Sequence, residues 1–280
     1  MMLRGMGVPK TMILEDKTAV VTGAAGGIGR AIAISLARRG CHLALADVNE
    51  AGLAETAKLI ASNRVRVSRH RLDVADRGAV AAFPAVVAAE HSGVDILVNN
   101  AGVALGGTFD DVSEEDFEWL FDINFWGVVR MTRAFMPLLK SSGDARIVNL
   151  SSIFGIIAPA GQTAYSASKF AVRGFSQALR HELEGTRIGV TVVHPGGVAT
   201  GIANHARLPK SVSAEDVKRR REWANKHLKM PPEKAGEIII EAVEHRRPRV
   251  LVGADAKRIS IIERIAPVSY WKIFQRLQRD

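Results

Sequence analysis

Seven short apolar runs punctuate the chain, at residues 19–22, 42–46, 65–72, 96–99, 146–150, 189–193 and 249–252. In most of these runs the apolar residues are nearly continuous. That pattern predicts strands covered on both faces, as in a parallel sheet. The stretches between them carry helix-period spacing, as in Arg30-Ala31-Ile32-Ala33-Ile34-Ser35-Leu36-Ala37. Strands alternating with helices predict βαβ units with right-handed crossovers, hence an α/β doubly wound sheet with helices on both faces. At 280 residues and 47% apolar content, the chain can build one large domain with a substantial core.

The first predicted strand runs directly into Gly23-Ala24-Ala25-Gly26-Gly27-Ile28-Gly29, and a helix follows. Strand, glycine turn and helix together form the context for binding a pyrophosphate, because a helix N-terminus offers free N–H groups and the positive end of a dipole. The spacing is Gly-x-x-x-Gly-x-Gly, unlike the Gly-x-Gly-x-x-Gly of the dinucleotide fingerprint. Asp47 closes the second apolar run. A carboxylate about 20 residues past the turn accepts the ribose hydroxyls of NAD and repels a 2′-phosphate. Nothing basic follows it at Val48 or Asn49, and position 26 is Gly, so NAD is favoured over NADP. Asp47 also suits a helix N-cap, a task for which Asn49 is at least as well fitted.

Tyr165 and Lys169 stand four residues apart, and Ser152 lies thirteen upstream. An i, i+4 pair shares one helix face. An ammonium beside a phenol favours the phenolate, which suits proton exchange with an alcohol or a carbonyl. A nearby serine hydroxyl can hydrogen-bond the substrate oxygen. Alone, a Tyr-x-x-x-Lys pair is common on surface helices. Its weight here comes from the glycine turn upstream.

With these elements in order, the chain resembles the short-chain dehydrogenase/reductase family from about Lys17 to about Gly253. The resemblance implies a cofactor turn at Gly23, Gly27, Ile28 and Gly29, with Asp73 and Val74 at the adenine. It matches Asn99-Asn100-Ala101-Gly102 to the family's element after the fourth strand, where Asn100, Ala101 and Gly102 line the cofactor. It makes Asn124, Ser152, Tyr165 and Lys169 the catalytic set, with Tyr165 and Lys169 also on the cofactor. It places Pro195, Gly196, Val198 and Thr200 at the nicotinamide. It further implies the strand order 3-2-1-4-5-6-7, a homo-oligomer (dimer or tetramer), and a water held by Asn124 that links Lys169 to solvent. Asp73 and Thr200 are equally suited to capping helices, and Pro195-Gly196 to an ordinary turn. His194 is expected to be structural. The implied activity is that of an oxidoreductase moving a hydride between NAD and a hydrophobic secondary alcohol or ketone. An NADP-linked carbonyl reductase and a non-catalytic dinucleotide-sensing module are the alternatives.

Composition narrows this further. One cysteine, Cys41, excludes an intramolecular disulfide and fits a reducing, cytoplasmic setting. Eight histidines without ligand spacing predict no metal site. Residues 1–16 read as an arm, 17–253 as the dehydrogenase domain with a substrate loop at 201–230, and 254–280 as an extension. The net charge is +9, of which residues 201–280 carry +8, with 18 Lys and Arg against 10 Asp and Glu. No nucleic-acid motif accompanies that charge, and nucleic acid is not expected as a partner. Apolar runs at 103–105 and 153–158 predict a greasy approach to the site. In the extension, Ile259, Ile262 and Ile265 form one stripe. Tyr270, Ile273, Phe274 and Leu277 form another beyond Pro267, and basic residues interleave both. Packing on the protein or a neighbouring subunit is the expected fate. Membrane contact through the tail is the less favoured alternative.

Overall fold

The computed structural model describes residues 11–60, 64–209 and 212–277; residues 1–10, 61–63, 210–211 and 278–280 lie outside these. The strands are β1 (Thr18–Thr22), β2 (His42–Asp47), β3 (Val67–Arg71), β4 (Ile96–Asn99), β5 (Ala145–Leu150), β6 (Ile188–Pro195) and β7 (Arg249–Val252). They form one seven-stranded sheet in the order β3-β2-β1-β4-β5-β6-β7, parallel throughout. The helices are α1 (Gly27–Arg38), α2 (Glu50–Ile60), α3 (Arg77–Glu90), α4 (Glu114–Phe121), α5 (Gly127–Ser141), α6 (Thr163–Glu182), α7 (Ala214–His227), α8 (Pro232–Glu244), α9 (Ala254–Ile265) and α10 (Tyr270–Leu277).

Successive strand residues face opposite sides, so the sheet divides its apolar residues between two cores. Val21, Leu43, Leu45, Ile96 and Val98 pack with α1 and α8 residues such as Ile32, Leu36, Ile239 and Val243. Val20, Ala44, Leu97 and Ile147 pack with Phe83 and Val87 of α3 and Met131 and Phe135 of α5. Burial on both faces explains why the strand segments read as continuous apolar runs. β1, β2 and β5 each extend one residue beyond the expected run, and two strands differ by more. β3 is shorter than 65–72, because this edge strand pairs only with β2. β6 is longer than 189–193 and includes His194 and Pro195, because β7 pairs with it up to Pro195.

Three buried histidines set a pH limit on this fold. Ser68 Oγ bridges His70 Nε2 and His91 Nε2, at 2.7 and 2.8 Å. Burial lowers the pKa of both, and it pushes that of His194 down to about 4. An unfolded imidazole protonates near ~6.5. The unfolded chain therefore binds more protons once pH falls below that value, and folding stability declines from about pH 6.5 toward pH 4. The expected result is a thermal midpoint that drops steadily across this interval. A flat profile down to about pH 5 would contradict the buried neutral assignment.

Candidate active site

The carboxyl ends of β1, β2, β4, β5 and β6 bring the sequence-nominated residues to one edge of the sheet. At β1, Gly29 sits so close to the Gly23 carbonyl and to Asn100 Nδ2 that no Cβ fits there. The first turn of α1 carries no side-chain cap and no acidic residue, so its N–H groups stay available to an anion. Thr22 Oγ1 accepts from the N–H groups of Asn100 and Ala101, while Asn100 Nδ2 donates to the Thr22 and Gly23 carbonyls. These bonds hold the β4 loop against the glycine turn.

Asp47 Oδ2 accepts from Ala25 N–H at 3.0 Å, and its Oδ1 accepts from Asn49 N–H at 3.0 Å. Asn49 caps α2 by accepting from Gly52 N–H, so the capping alternative for Asp47 falls away. Likewise Asp76, not Asp73, caps α3, and Asp73 accepts from Ala75 N–H in a local turn. Val74 is buried behind it, and Ile28 packs half-buried on the core. Thr200 caps no helix either. α7 begins at residue 214, and the Thr200 methyl lies against Gly27.

Asn124 sits in a single π-helical turn, Asp122–Trp126, between α4 and α5. Such turns widen a helix locally and occur often at functional sites. Its amide is fully engaged: Oδ1 accepts from Val103 N–H at 2.8 Å, and Nδ2 donates to the Val103 carbonyl and to Ser168 Oγ. The side chain therefore clamps the β4 loop. Gly102 lies between the Asn124 amide oxygen and Lys169 Nζ.

Tyr165 and Lys169 share one face of α6, with the ammonium 5.6 Å from the phenol ring centroid. Lys169 Nζ donates to the Leu150 carbonyl at 3.2 Å, and burial pushes its pKa down to about 8. Burial pushes the Tyr165 phenol up to about 12, and the adjacent Ser152 hydroxyl draws it back down. Lys169 thus lies beside the phenol ring while its ammonium turns toward the Leu150 carbonyl. Ser152 begins the 3-10 turn Ile153–Gly155, its Oγ accepting from Phe154 N–H. Beneath it, His194 Nδ1 meets the Ser152 carbonyl at 2.9 Å, which gives the expected structural histidine a definite task.

The apolar approach is narrower than expected. Leu105 is buried against Leu120 and Ala164. Ile153, Ile156 and Ile157 are buried too, and the residues covering them are Ala256, Ile259, Tyr270 and Phe274 of the extension. Core packing claims these side chains, and Val103, Ala104 and Phe154 are left partly exposed. The 201–230 segment is tied down at Arg207, whose backbone bonds to Ala104 and Gly106 and whose guanidinium lies 3.6 Å from the Trp119 ring centroid. Among the described residues, no group of three His, Cys, Asp or Glu could hold a metal ion.

A family model for short chain dehydrogenases matches residues 17–210. The chain belongs to the short-chain dehydrogenase family. An oxidoreductase of Mycobacterium tuberculosis, SadH, is 44% identical over 262 residues, covering 92% of this chain and 94% of that one. The oxidoreductase UcpA of Salmonella typhimurium is 39% identical over 191 residues, covering 68% of this chain and 72% of its own. A short-chain dehydrogenase/reductase from Burkholderia phymatum, solved with NAD, superposes with a TM-score of 0.84 at 29% identity, over 91% of this chain and 95% of that one. A serine dehydrogenase solved with NADP+ superposes with a TM-score of 0.71 at 32% identity, over 80% and 88% of the two chains. Structures of both cofactor types thus resemble this short-chain dehydrogenase.

One contact to the candidate nicotinamide turn escaped the sequence reading. Asp255, in the first turn of α9, accepts from Gly197 N–H at 2.6 Å. Its carboxylate presses on Gly196, where a Cβ would collide with it. The turn of this short-chain dehydrogenase is therefore fixed partly from the extension, and the two are not independent. Nothing in the local sequence marks Asp255, because its partner is 58 residues away. Asp255→Ala is expected to weaken NADH binding roughly fivefold, and Asp255→Asn, which keeps an acceptor, to recover most of it. Equal losses in both variants, measured by fluorescence titration, would count against the hydrogen bond.

Proposed function

We propose that this short-chain dehydrogenase is an NAD-linked oxidoreductase acting on a hydrophobic secondary alcohol or its ketone. The observation that carries the reading is the convergence of Ser152, Tyr165 and Lys169 beside a glycine turn too tight for any Cβ at Gly29. The turn and the uncapped start of α1 fit a pyrophosphate. Asp47 fits the adenosine ribose, Asp73 and Val74 the adenine, and Asn100 to Gly102 the ribose on the far side. Pro195, Gly196, Val198 and Thr200 fit the nicotinamide. A bound nicotinamide supplies the hydride chemistry and, when oxidised, a positive charge.

The chain's own residues supply the rest. Ser152 donates a hydrogen bond to the substrate oxygen and stabilises the charge that develops there. Tyr165 takes the alcohol proton in oxidation and returns one in reduction. Lys169 binds ribose hydroxyls and adds its charge beside the phenol. Burial raises the phenol, and Lys169 together with the charge of an oxidised nicotinamide would favour the phenolate against it. Phe154, edge-on to Tyr165 with ring centroids 6.1 Å apart, gives the substrate pocket an apolar wall.

An NADP-linked reductase is the second reading, and one observation favours it. Arg71 on β3 lies in register with Asp47, a cation that the sequence around Asp47 does not reveal. Asp47→Ala decides between the two. Under the NAD reading, wild type binds NADH more tightly than NADPH, and the variant narrows or reverses the gap. Tighter NADPH binding by wild type, with loss in Arg71→Ala, would establish the second reading. A homo-oligomer is proposed from the exposed Trp126 and Phe170, and a cytoplasmic setting from the single, buried Cys41.

A further inference from the structure

The extension has two faces, and only one is used. On α9, Ala256 and Ile259 turn inward, and on α10, Tyr270 and Phe274 do the same. Tyr270 Oη also accepts from Ala158 N–H at 2.9 Å. Ile259, Tyr270 and Phe274 thus pack on the protein as expected of the stripes. Ile265, assigned to the first stripe, is 78% exposed, because the chain leaves α9 at Ala266 and carries it clear of the body.

The outer face is of a different kind. A turn of 100° per residue sets Lys257, Arg258, Ile261, Arg264 and Ile265 on one side of α9. Lys272 and Arg276 share the exposed side of α10. Ile261 is 59% exposed, and Val268, in the turn between the helices, 95%. No ion pair engages any of these five cations among the described residues. The acidic residues of α9 point elsewhere: Asp255 holds Gly197, and Glu263 acts on Arg249.

We propose that this outer face docks on an anionic lipid bilayer, with the cations at the phosphates and Ile261, Ile265 and Val268 in the headgroup–acyl boundary. The charge argues for this occupant over a second copy, since self-contact would set cation against cation. Exposed apolar tips set among cations on two short helices match a soft interface better than the preformed groove of a folded protein. No helix among the described residues is long and apolar enough to cross a membrane, so the contact is peripheral. Because the inner face of the extension packs on the segment after Ser152, docking brings the candidate active site to the lipid surface. The inference rests on the outer face alone and stands whichever cofactor the enzyme uses.

The test is flotation of the full-length protein with vesicles of phosphatidylcholine alone or of phosphatidylcholine with one quarter phosphatidylglycerol, at physiological ionic strength. The anionic vesicles are expected to carry about tenfold more protein than the neutral ones. The triple variant Lys257→Glu/Arg258→Glu/Arg264→Glu should fall to the neutral level. The variant Ile261→Ser/Ile265→Ser/Val268→Ser should still bind at low salt but lose the fraction that resists about 0.5 M salt. Both variants should keep the wild-type thermal midpoint and sedimentation mass, since the altered side chains support nothing else. Equal binding to both vesicle types, no binding to either, or a charge variant that floats like wild type would overturn the proposal. A smaller sedimenting mass in the apolar variant would overturn it in favour of a contact between copies of this chain.

Discussion

Tyr165→Phe is expected to lower turnover by about 10²–10⁴-fold, the range for loss of a general acid–base group. The substitution removes only the hydroxyl. The ring keeps its edge contact with Phe154, and no backbone bond of α6 depends on the phenol oxygen. Fold, thermal midpoint and NADH affinity should therefore match wild type. A matched pair of measurements checks this: steady-state rates over a panel of secondary alcohols and ketones, and cofactor fluorescence titration. Retention of most activity on the best substrate would remove Tyr165 from the mechanism. Lys169→Met should also be severe but should weaken cofactor binding as well, because Lys169 is assigned to the ribose. If wild type binds cofactor but shows no turnover across the panel, the reading as a non-catalytic dinucleotide module gains ground.

Gly29→Ala is expected to have the second largest effect. A Cβ there would collide with the Gly23 carbonyl and Asn100 Nδ2. Neither can yield cheaply, because Asn100 Nδ2 already donates to the Thr22 and Gly23 carbonyls. The turn must open, at a cost of about 1–3 kcal/mol for overpacking. It must also move the start of α1 away from the β4 loop, which is where the pyrophosphate is assigned. Affinity for both NADH and NADPH should fall by about 100-fold or more, with a lower thermal midpoint. A useful contrast is Gly26→Ala, where nothing lies within 4 Å of an added Cβ. That variant should bind cofactor nearly as wild type does. Equal behaviour of the two variants would show that the tight approach at Gly29 has no part in binding.

The elements most legible in the sequence were those whose partners lie nearby in the chain. The glycine turn, the start of α1 and Asp47 are all read within about 30 residues, because a strand–turn–helix unit places them by local geometry. Tyr165 and Lys169 are legible because helix periodicity alone puts them on one face. The central strands were legible because they are buried on both sides, which leaves a continuous apolar signature, whereas edge strand β3 alternates buried and exposed residues. Asn124 was assigned by resemblance. Its π-helical turn was not legible, since one extra residue in a helix turn leaves no mark on apolar spacing.

What the sequence determined by itself is the layered α/β architecture, the glycine turn between β1 and α1, and the placement of Tyr165 and Lys169 on one helix face. These follow from local backbone preference and the period of apolar positions. Tertiary structure alone decided the remainder. It joined Asp255 to Gly197, set Arg71 beside Asp47, and put His194 beneath Ser152. It also buried Ile153, Ile156 and Ile157 under the extension instead of leaving them to line the site. In each case the partners are far apart in sequence, and only the closing of the sheet and the return of the chain after β7 fix their distance. Burial had the same consequence for charge. Burial in the folded chain raises the phenol of Tyr165 and lowers the ammonium of Lys169, an effect that no spacing of residues encodes.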